Sequence, residues 1–283
     1  MRVKLLVACH SESENGKGIA VTVRAGAAIA DKEVVCDFCD DEGENISALN
    51  PTYNEMTVAY WAWKNYALLG DPEYVGLMHY RRYFYFDARI RDAVLRTDVP
   101  KERFAEKAKL SEEYAELLLS HCDFIAPRPA RRRSVEKQYA LLHDKKDLDL
   151  VKEIIKERSP EYLEAAETYF KGKDCFFFNM FVLPKELFFR YAEFVFPILA
   201  EFQKRKDGVE RLFISERLTG VFFEKLLLEG KKATYLPVLY REGRGENRFR
   251  VFKNEWKASK GIKAKALSFR RLIAFRRHES RRI

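Results

Sequence analysis

Three absences narrow what this 283-residue chain can be. No stretch of about 18 consecutive apolar residues occurs, so no membrane-spanning helix is expected. The cysteines number five, Cys9, Cys36, Cys39, Cys122 and Cys175. An odd count in a long chain does not build a disulfide scaffold. Cys36-Asp37-Phe38-Cys39 has the spacing of half a zinc site, but no second Cys-x-x-Cys follows and the five histidines are scattered. Ordinary reduced thiols are therefore expected. Glycine is sparse, and its 13 residues form neither the dinucleotide fingerprint nor a P-loop. That argues against a dinucleotide enzyme and against a P-loop NTPase.

Charge is plentiful but unevenly placed. The chain is 34% charged and 47% hydrophobic, with a net charge of +9. Residues 241–283 hold 15 Lys/Arg against 4 Asp/Glu, a net of +11, which leaves the first 240 residues near −2. A nearly neutral body, 1–240, is followed by a strongly basic tail, 241–283. The opening MRVKLLVACHSESE has too short an apolar stretch for a signal peptide, and acidic residues follow at once. It reads as a first strand, with the protein expected in the cytoplasm.

The body alternates strand and helix patterns. VKLLVAC (3–9), YVGLMH (74–79), CDFIAP (122–127), CFFFNMFVL (175–183) and ATYLPVLY (233–240) read as buried strands. Residues 40–52 read as a loop. From Asn50-Pro51-Thr52 a helix is expected, with Glu55 in capping-box position after Thr52 and Met56, Tyr60, Trp63 and Ala67 as its core stripe. Gly70-Asp71-Pro72 ends it. Further helices are expected over 111–120, 147–158, 160–171, 184–206 and 209–229. This order predicts an α/β domain with a Rossmann-type sheet and a helical second half. Ligands of open α/β sheets bind beyond the carboxyl ends of strands. That directs attention to Cys9-His10, His79-Tyr80-Arg81-Arg82, Pro127-Arg128 and Asn179. Arginine forks match phosphate oxygens, so Arg81 and Arg82 beside His79 suit a diphosphate-bearing ligand. A surface arginine pair held by acidic side chains is the competing reading.

DDEGENIS, YNEMTVAYWAWKN, YVGLMHYRRYF, FFFNMFVLPKELF and FISERL occur in that order. Together they resemble a family of bacterial capsular and exopolysaccharide biosynthesis proteins, glycosyltransferases with a GT-A-like fold, over residues 3 to about 240. The resemblance implies a nucleotide-sugar donor, UDP-linked with galactose or galactofuranose preferred, and a lipid-linked or oligosaccharide acceptor. Enzymes of that fold usually hold a metal with Asp-x-Asp. Here His79-Tyr80-Arg81 stands in the comparable place. Two readings follow: Arg81 and Arg82 supply the positive charge themselves, or His79 ligates manganese or magnesium with a carboxylate from elsewhere. No metal ligands are assigned. Cys9 and His10 are expected near the nucleotide, with Tyr80, Arg81, Arg82 and Asn179. Asp41, Asn45, Tyr53 and Glu55 are expected to read donor-sugar hydroxyls, unless Glu55 is only the helix cap. Glu216 is expected to take the acceptor proton, unless it is a surface partner of Arg217 or Lys225. Trp61 and Trp63 are expected in the core.

In the tail, ALSFRRLIAFRRH places Phe269, Leu272 and Ile273 together on a helix among Arg270, Arg271, Arg276 and Arg277. A basic amphipathic helix over 260–283 suits an anionic membrane surface, so a peripheral position at the inner face of the plasma membrane is expected. The alternative is a nucleic-acid-binding protein. Arg131-Arg132-Arg133 and the tail favour it. The neutral body and the lack of a recognition module oppose it, so no nucleic-acid partner is expected.

Overall fold

The computed structural model describes residues 2–10, 16–132, 134–206 and 211–242. The expected amphipathic helix of the tail lies outside the described residues. Among the described residues, twelve strands form: β1 Val3–Cys9, β2 Ala20–Arg24, β3 Phe38–Cys39, β4 Tyr74–His79, β5 Arg82–Phe84, β6 Val94–Thr97, β7 Phe124–Pro127, β8 Ala130–Arg131, β9 Asp174–Cys175, β10 Phe181–Pro184, β11 Ala233–Leu236 and β12 Val238–Arg241. The helices are α1 Asn50–Tyr53, α2 Met56–Lys64, α3 Phe104–Lys107, α4 Glu112–Leu119, α5 Val135–Tyr139, α6 Lys146–Arg158, α7 Leu163–Lys171, α8 Lys185–Arg205 and α9 Ser215–Leu228. None of them is long and apolar enough to cross a membrane.

The main sheet runs β11-β7-β10-β4-β1-β2-β3. Strands β4, β1, β2 and β3 are parallel, while β10 lies antiparallel to both β4 and β7. The apolar runs of β1 and β4 reflect burial on both faces. Leu6 and Ala8 face a core shared with α2 and α6–α9, whereas Leu5, Val7 and Cys9 face a second core that includes Ala115 and Leu119 of α4. Alternation along the strand makes that division. It sends Cys9 away from the face on which Ala8 lies.

Five expectations about elements are corrected. The helix expected from Thr52 onward breaks at Asn54, whose φ is 52°, a conformation asparagine tolerates better than most residues. The Thr52–Glu55 capping box is not formed, because Glu55 is itself the N-cap of α2 and makes no side-chain cap bond. Met56 is fully buried as expected, but its buried companions are Val58, Ala59, Trp61 and Ala62, while Ala67 is exposed. The apolar run 175–183 is interrupted at Phe178 and Asn179, both at positive φ, so strand pairing resumes only at Phe181. ATYLPVLY divides at Pro237 into β11, which pairs β7, and β12, which pairs β5 and β6.

Gly76 lies at the centre of the sheet. A Cβ there would meet Leu5 Cδ2 at 2.5 Å and the carbonyl oxygen of Phe181 at 2.8 Å. The close approach of β4 to β10 therefore needs glycine. Gly76→Ala is expected to lower stability by about 1–3 kcal/mol, read as a reduced melting temperature. An unchanged melting temperature would contradict this packing.

Candidate active site

Parallel pairing puts Ala8 of β1 opposite His79 of β4. Both strands therefore finish at one edge of the sheet, and a cavity of about 520 Å³ opens there. Strand ends supply His10, His79, Tyr80, Arg81 and Arg82 to its lining. The segment around the broken helix supplies Asn50, Pro51, Asn54 and Glu55, and Arg211 enters from the approach to α9.

The arginine pair is presented by a tight hairpin. His79 of β4 pairs with Arg82 of β5, so Tyr80 and Arg81 form the turn. Behind it stands Tyr240 of β12, which pairs with Arg82 in register. The Tyr240 ring centroid lies 6.0 Å from the Arg81 guanidinium, 5.5 Å from that of Arg82 and 5.1 Å from that of Arg96. Cation–π attraction of this kind offsets part of the repulsion between neighbouring guanidiniums. Arg82 also lies 4.9 Å from the Phe178 ring. Its buried Nε has no hydrogen-bond acceptor, and no ion pair joins Arg82 to any described residue.

The left-handed turn at Phe178–Asn179 is held from several sides. The Phe178 N–H donates to Glu216 Oε1 at 3.0 Å, and its carbonyl accepts from His79 Nε2. A carbonyl oxygen only accepts, so Nε2 carries the proton and the neutral ring keeps Nδ1 as its acceptor. The Asn179 amide donates to Glu55 Oε1 at 2.7 Å and to Ser215 Oγ at 2.9 Å, and its oxygen accepts from Thr219 at 3.0 Å. Asn179 is almost fully buried, so this pairing removes the cost of leaving its amide dry and unbonded.

Electrostatics follow from the burial. Loss of hydration pushes the His79 pKa down to about 3, with the Arg82 charge adding to the effect. Burial likewise lowers His10, opposed by Glu55 and Asp40. The Glu55 carboxyl is raised by burial, opposed by the Asn179 hydrogen bond and the charges of Arg82 and His10. Glu216 is also raised by burial, opposed chiefly by Arg217 and the Phe178 N–H.

Six of the residues expected from sequence line the cavity together: His10, Glu55, His79, Tyr80, Arg81 and Arg82. Asn179 and Glu216 stand behind it and hold the 178–179 turn. Cys9 is buried on the opposite face, with its thiol bonded to the carbonyl of Val7. Asn45 bonds to the carbonyls of Asp41 and Gly43, and neither Asn45 nor Asp41 reaches the cavity. Tyr53 is buried in the helical core. Trp61 is core as expected, whereas Trp63 is half-buried, lying parallel to Phe196 with Lys64 over its ring. Arg128, another strand-end candidate, is spent on the carbonyls of Ala88 and Tyr235. Sequence reasoning missed Arg211, Asn54 and the ring of Tyr240. Asn50-Pro51 reads in sequence as a helix entry and not as a cavity wall. Among the described residues, no three His, Cys, Asp or Glu side chains come together as a metal-ligand set.

A buried neutral histidine has a definite pH signature. The unfolded chain takes up a proton at His79 near pH 6.5, while the folded chain resists until about pH 3. Stability tied to this residue is therefore present above about pH 6.5 and is lost as pH falls below it. Glu55 and Glu216, with raised folded pKa values, act in the opposite sense: their contribution declines as pH rises through those values. His79→Gln retains a donor toward the Phe178 carbonyl and does not titrate. Denaturant unfolding is expected to show wild type losing stability relative to His79→Gln between pH 7 and pH 4. Parallel pH curves for the two proteins would contradict a neutral buried His79.

None of the curated proteins matches this sequence. Among solved structures, one described as "WbbM bifunctional glycosytransferase apo structure" is similar, with a TM-score of 0.75 and 26% identity. The likeness covers 86% of this chain and 46% of that one, so this chain spans about half the length of the protein it resembles. The architecture is that of the GT-A-like α/β fold expected from the motifs. Residues 4–229, which carry all of the main sheet but β11 and β12, the arginine hairpin and the 178–179 turn, match the family model described as a domain of unknown function, DUF4422. The chain belongs to the DUF4422 family.

Proposed function

We propose that the protein is a glycosyltransferase that moves a hexose from a nucleotide-sugar to a saccharide acceptor. The observation that carries this reading is the Arg82 guanidinium. It lies at the cavity with its buried Nε unbonded and no ion pair to a described residue, and Arg81 and Arg211 line the same space. Three guanidiniums, two of them in the hairpin after the central parallel strand β4, suit an anion with several oxygens, such as a diphosphate. The similarity to a glycosyltransferase supports the same class.

In this reading the acceptor hydroxyl attacks the anomeric carbon, the bond from that carbon to the diphosphate oxygen breaks, and the nucleoside diphosphate leaves. Negative charge grows on the leaving group, and preorganised arginines stabilise that charge without reorganising. The acceptor proton passes to a carboxylate of the site. The donor is a UDP-hexose, galactose or galactofuranose by the motif resemblance, and the acceptor a lipid-linked or oligosaccharide chain of capsular or exopolysaccharide synthesis. Work at the inner face of a membrane, through the basic tail, belongs to the same proposal.

Removal of a charged hydrogen-bond donor to phosphate loses about 1.5–3 kcal/mol, or about 10- to 150-fold in affinity. Arg82→Ala and Arg81→Ala are each expected to weaken UDP binding by that order, measured by calorimetry, with the melting temperature of the free protein little changed. Unchanged UDP affinity in both variants would remove the diphosphate role. Thermal-shift screening of nucleotide-sugars, with and without manganese, identifies the donor and shows whether a metal contributes.

A further inference from the structure

The motif position of Glu216 suggests a proton acceptor, yet its surroundings give it different work. One of its oxygens accepts the Phe178 N–H at 3.0 Å, and the other lies 3.5 Å from Arg217 Nη1. Glu216 is not part of the cavity lining, whereas Glu55 is. On the next peptide unit, His79 holds the Phe178 carbonyl, so the two bonds bracket the residue. Phe178 has φ 79° and Asn179 has φ 50°. Consecutive non-glycine residues at positive φ cost about 1–3 kcal/mol each and persist only where the surroundings hold them. The turn has two outputs. It lays the Phe178 ring 4.9 Å from the Arg82 guanidinium, and it aims the Asn179 amide at Glu55 Oε1, 2.7 Å away.

We propose that Glu216 and His79 are positioning residues that clamp the strained Phe178–Asn179 turn, and that this turn orients both the anion-binding Arg82 and Glu55, the carboxylate that takes the acceptor proton. Glu55 has one oxygen committed to Asn179, which fixes the plane of its carboxyl group, and it borders the space where an acceptor hydroxyl would arrive. Proton transfer to Glu55 accompanies formation of the new bond between acceptor oxygen and anomeric carbon. The electron pair of the broken bond leaves with the diphosphate. Its raised pKa favours a base that holds the proton once it has taken it. The assignment of substrate to this clamp rests on the nucleotide-sugar reading, but the clamp itself does not.

The test compares full-length wild type with Glu216→Gln, Glu216→Ala and Glu55→Gln. Glu216→Gln keeps an oxygen to accept the Phe178 N–H but cannot take up a proton. Exchange of the Phe178 amide hydrogen, followed by NMR, is expected to stay slow in Glu216→Gln and to quicken at least about tenfold in Glu216→Ala. Inorganic pyrophosphate probes the arginines alone, and its binding is expected to weaken about tenfold in Glu216→Ala and to recover in Glu216→Gln. In turnover with a UDP-hexose, Glu216→Gln is expected to rescue most of the kcat that Glu216→Ala loses and to retain the acidic limb of the kcat–pH profile. Glu55→Gln is expected to lose about 100-fold or more in kcat together with that limb, with UDP affinity preserved.

Glu216→Gln falling as far as Glu55→Gln in kcat, with the Phe178 amide still protected, would overturn the proposal, because Glu216 would then act on the substrate itself. Equal amide exchange in all four proteins would overturn the clamp. Wild type that binds pyrophosphate but not UDP would sink the nucleotide-sugar reading while the exchange data still judge the clamp.

Discussion

One residue, Phe178, gripped by its N–H and by its carbonyl, organises this protein's cavity. Phe178 gives its N–H to Glu216 and takes a hydrogen bond from His79 on its carbonyl, in a conformation that a phenylalanine does not adopt unaided. The grips come from distant parts of the chain: His79 closes the central strand β4, and Glu216 opens α9. Holding them on one residue ties the sheet to the helical half at the point where the cavity forms. Next to it, Asn179 uses its amide to join Glu55, Ser215 and Thr219, so a second connection runs through the broken helix near Asn54. Strain of this kind is tolerated at functional sites because the surrounding bonds over-determine the geometry.

The charge arrangement depends on that geometry. Arginines at close quarters repel, and a chain that places Arg81 beside Arg82 with Arg211 near them must offset part of that repulsion. It does so with aromatic faces. Tyr240 stands behind the hairpin and Phe178 beside Arg82. A ring attracts the Arg82 cation yet leaves its hydrogen-bonding edge for a ligand, which a carboxylate would not. The neutral state of His79 fits the same logic. Its ring is held by the Phe178 carbonyl, and a second cation there would oppose Arg82.

Much of this was legible because it is local. The apolar run of β4 ends at His79 in sequence as in structure, and the Arg81-Arg82 dipeptide must emerge where that strand stops. Glycine and proline marked the end of the helix before it. What was not legible depends on contacts between distant residues. Nothing near Glu55 shows that Asn54 will break the helix and turn Glu55 toward Asn179, since Thr52 and Glu55 have capping-box spacing. The run CFFFNMFVL has strand composition throughout, and only the tertiary grip on Phe178 explains why it turns at its centre. Tyr240 is 158 positions from Arg82 and joins it only because Pro237 separates β12 from β11. Cys9 and Ala8 differ by one position, yet strand alternation alone sends one to the cavity side and the other to the opposite core.

The same comparison explains why Glu55 and Glu216 are easily confused. Both are partly buried carboxylates, both are raised by that burial, and both feel the charge of Arg82. A titration argument therefore cannot tell them apart; hydrogen-bond direction can. A carboxylate whose oxygen accepts a backbone N–H in a strained turn is committed to architecture, because moving it releases the strain. A carboxylate whose only described side-chain partner is a buried amide, and which borders open space, keeps acceptor capacity for something that enters that space. The division of labour between two similar acids is thus set by what the backbone at residue 178 requires.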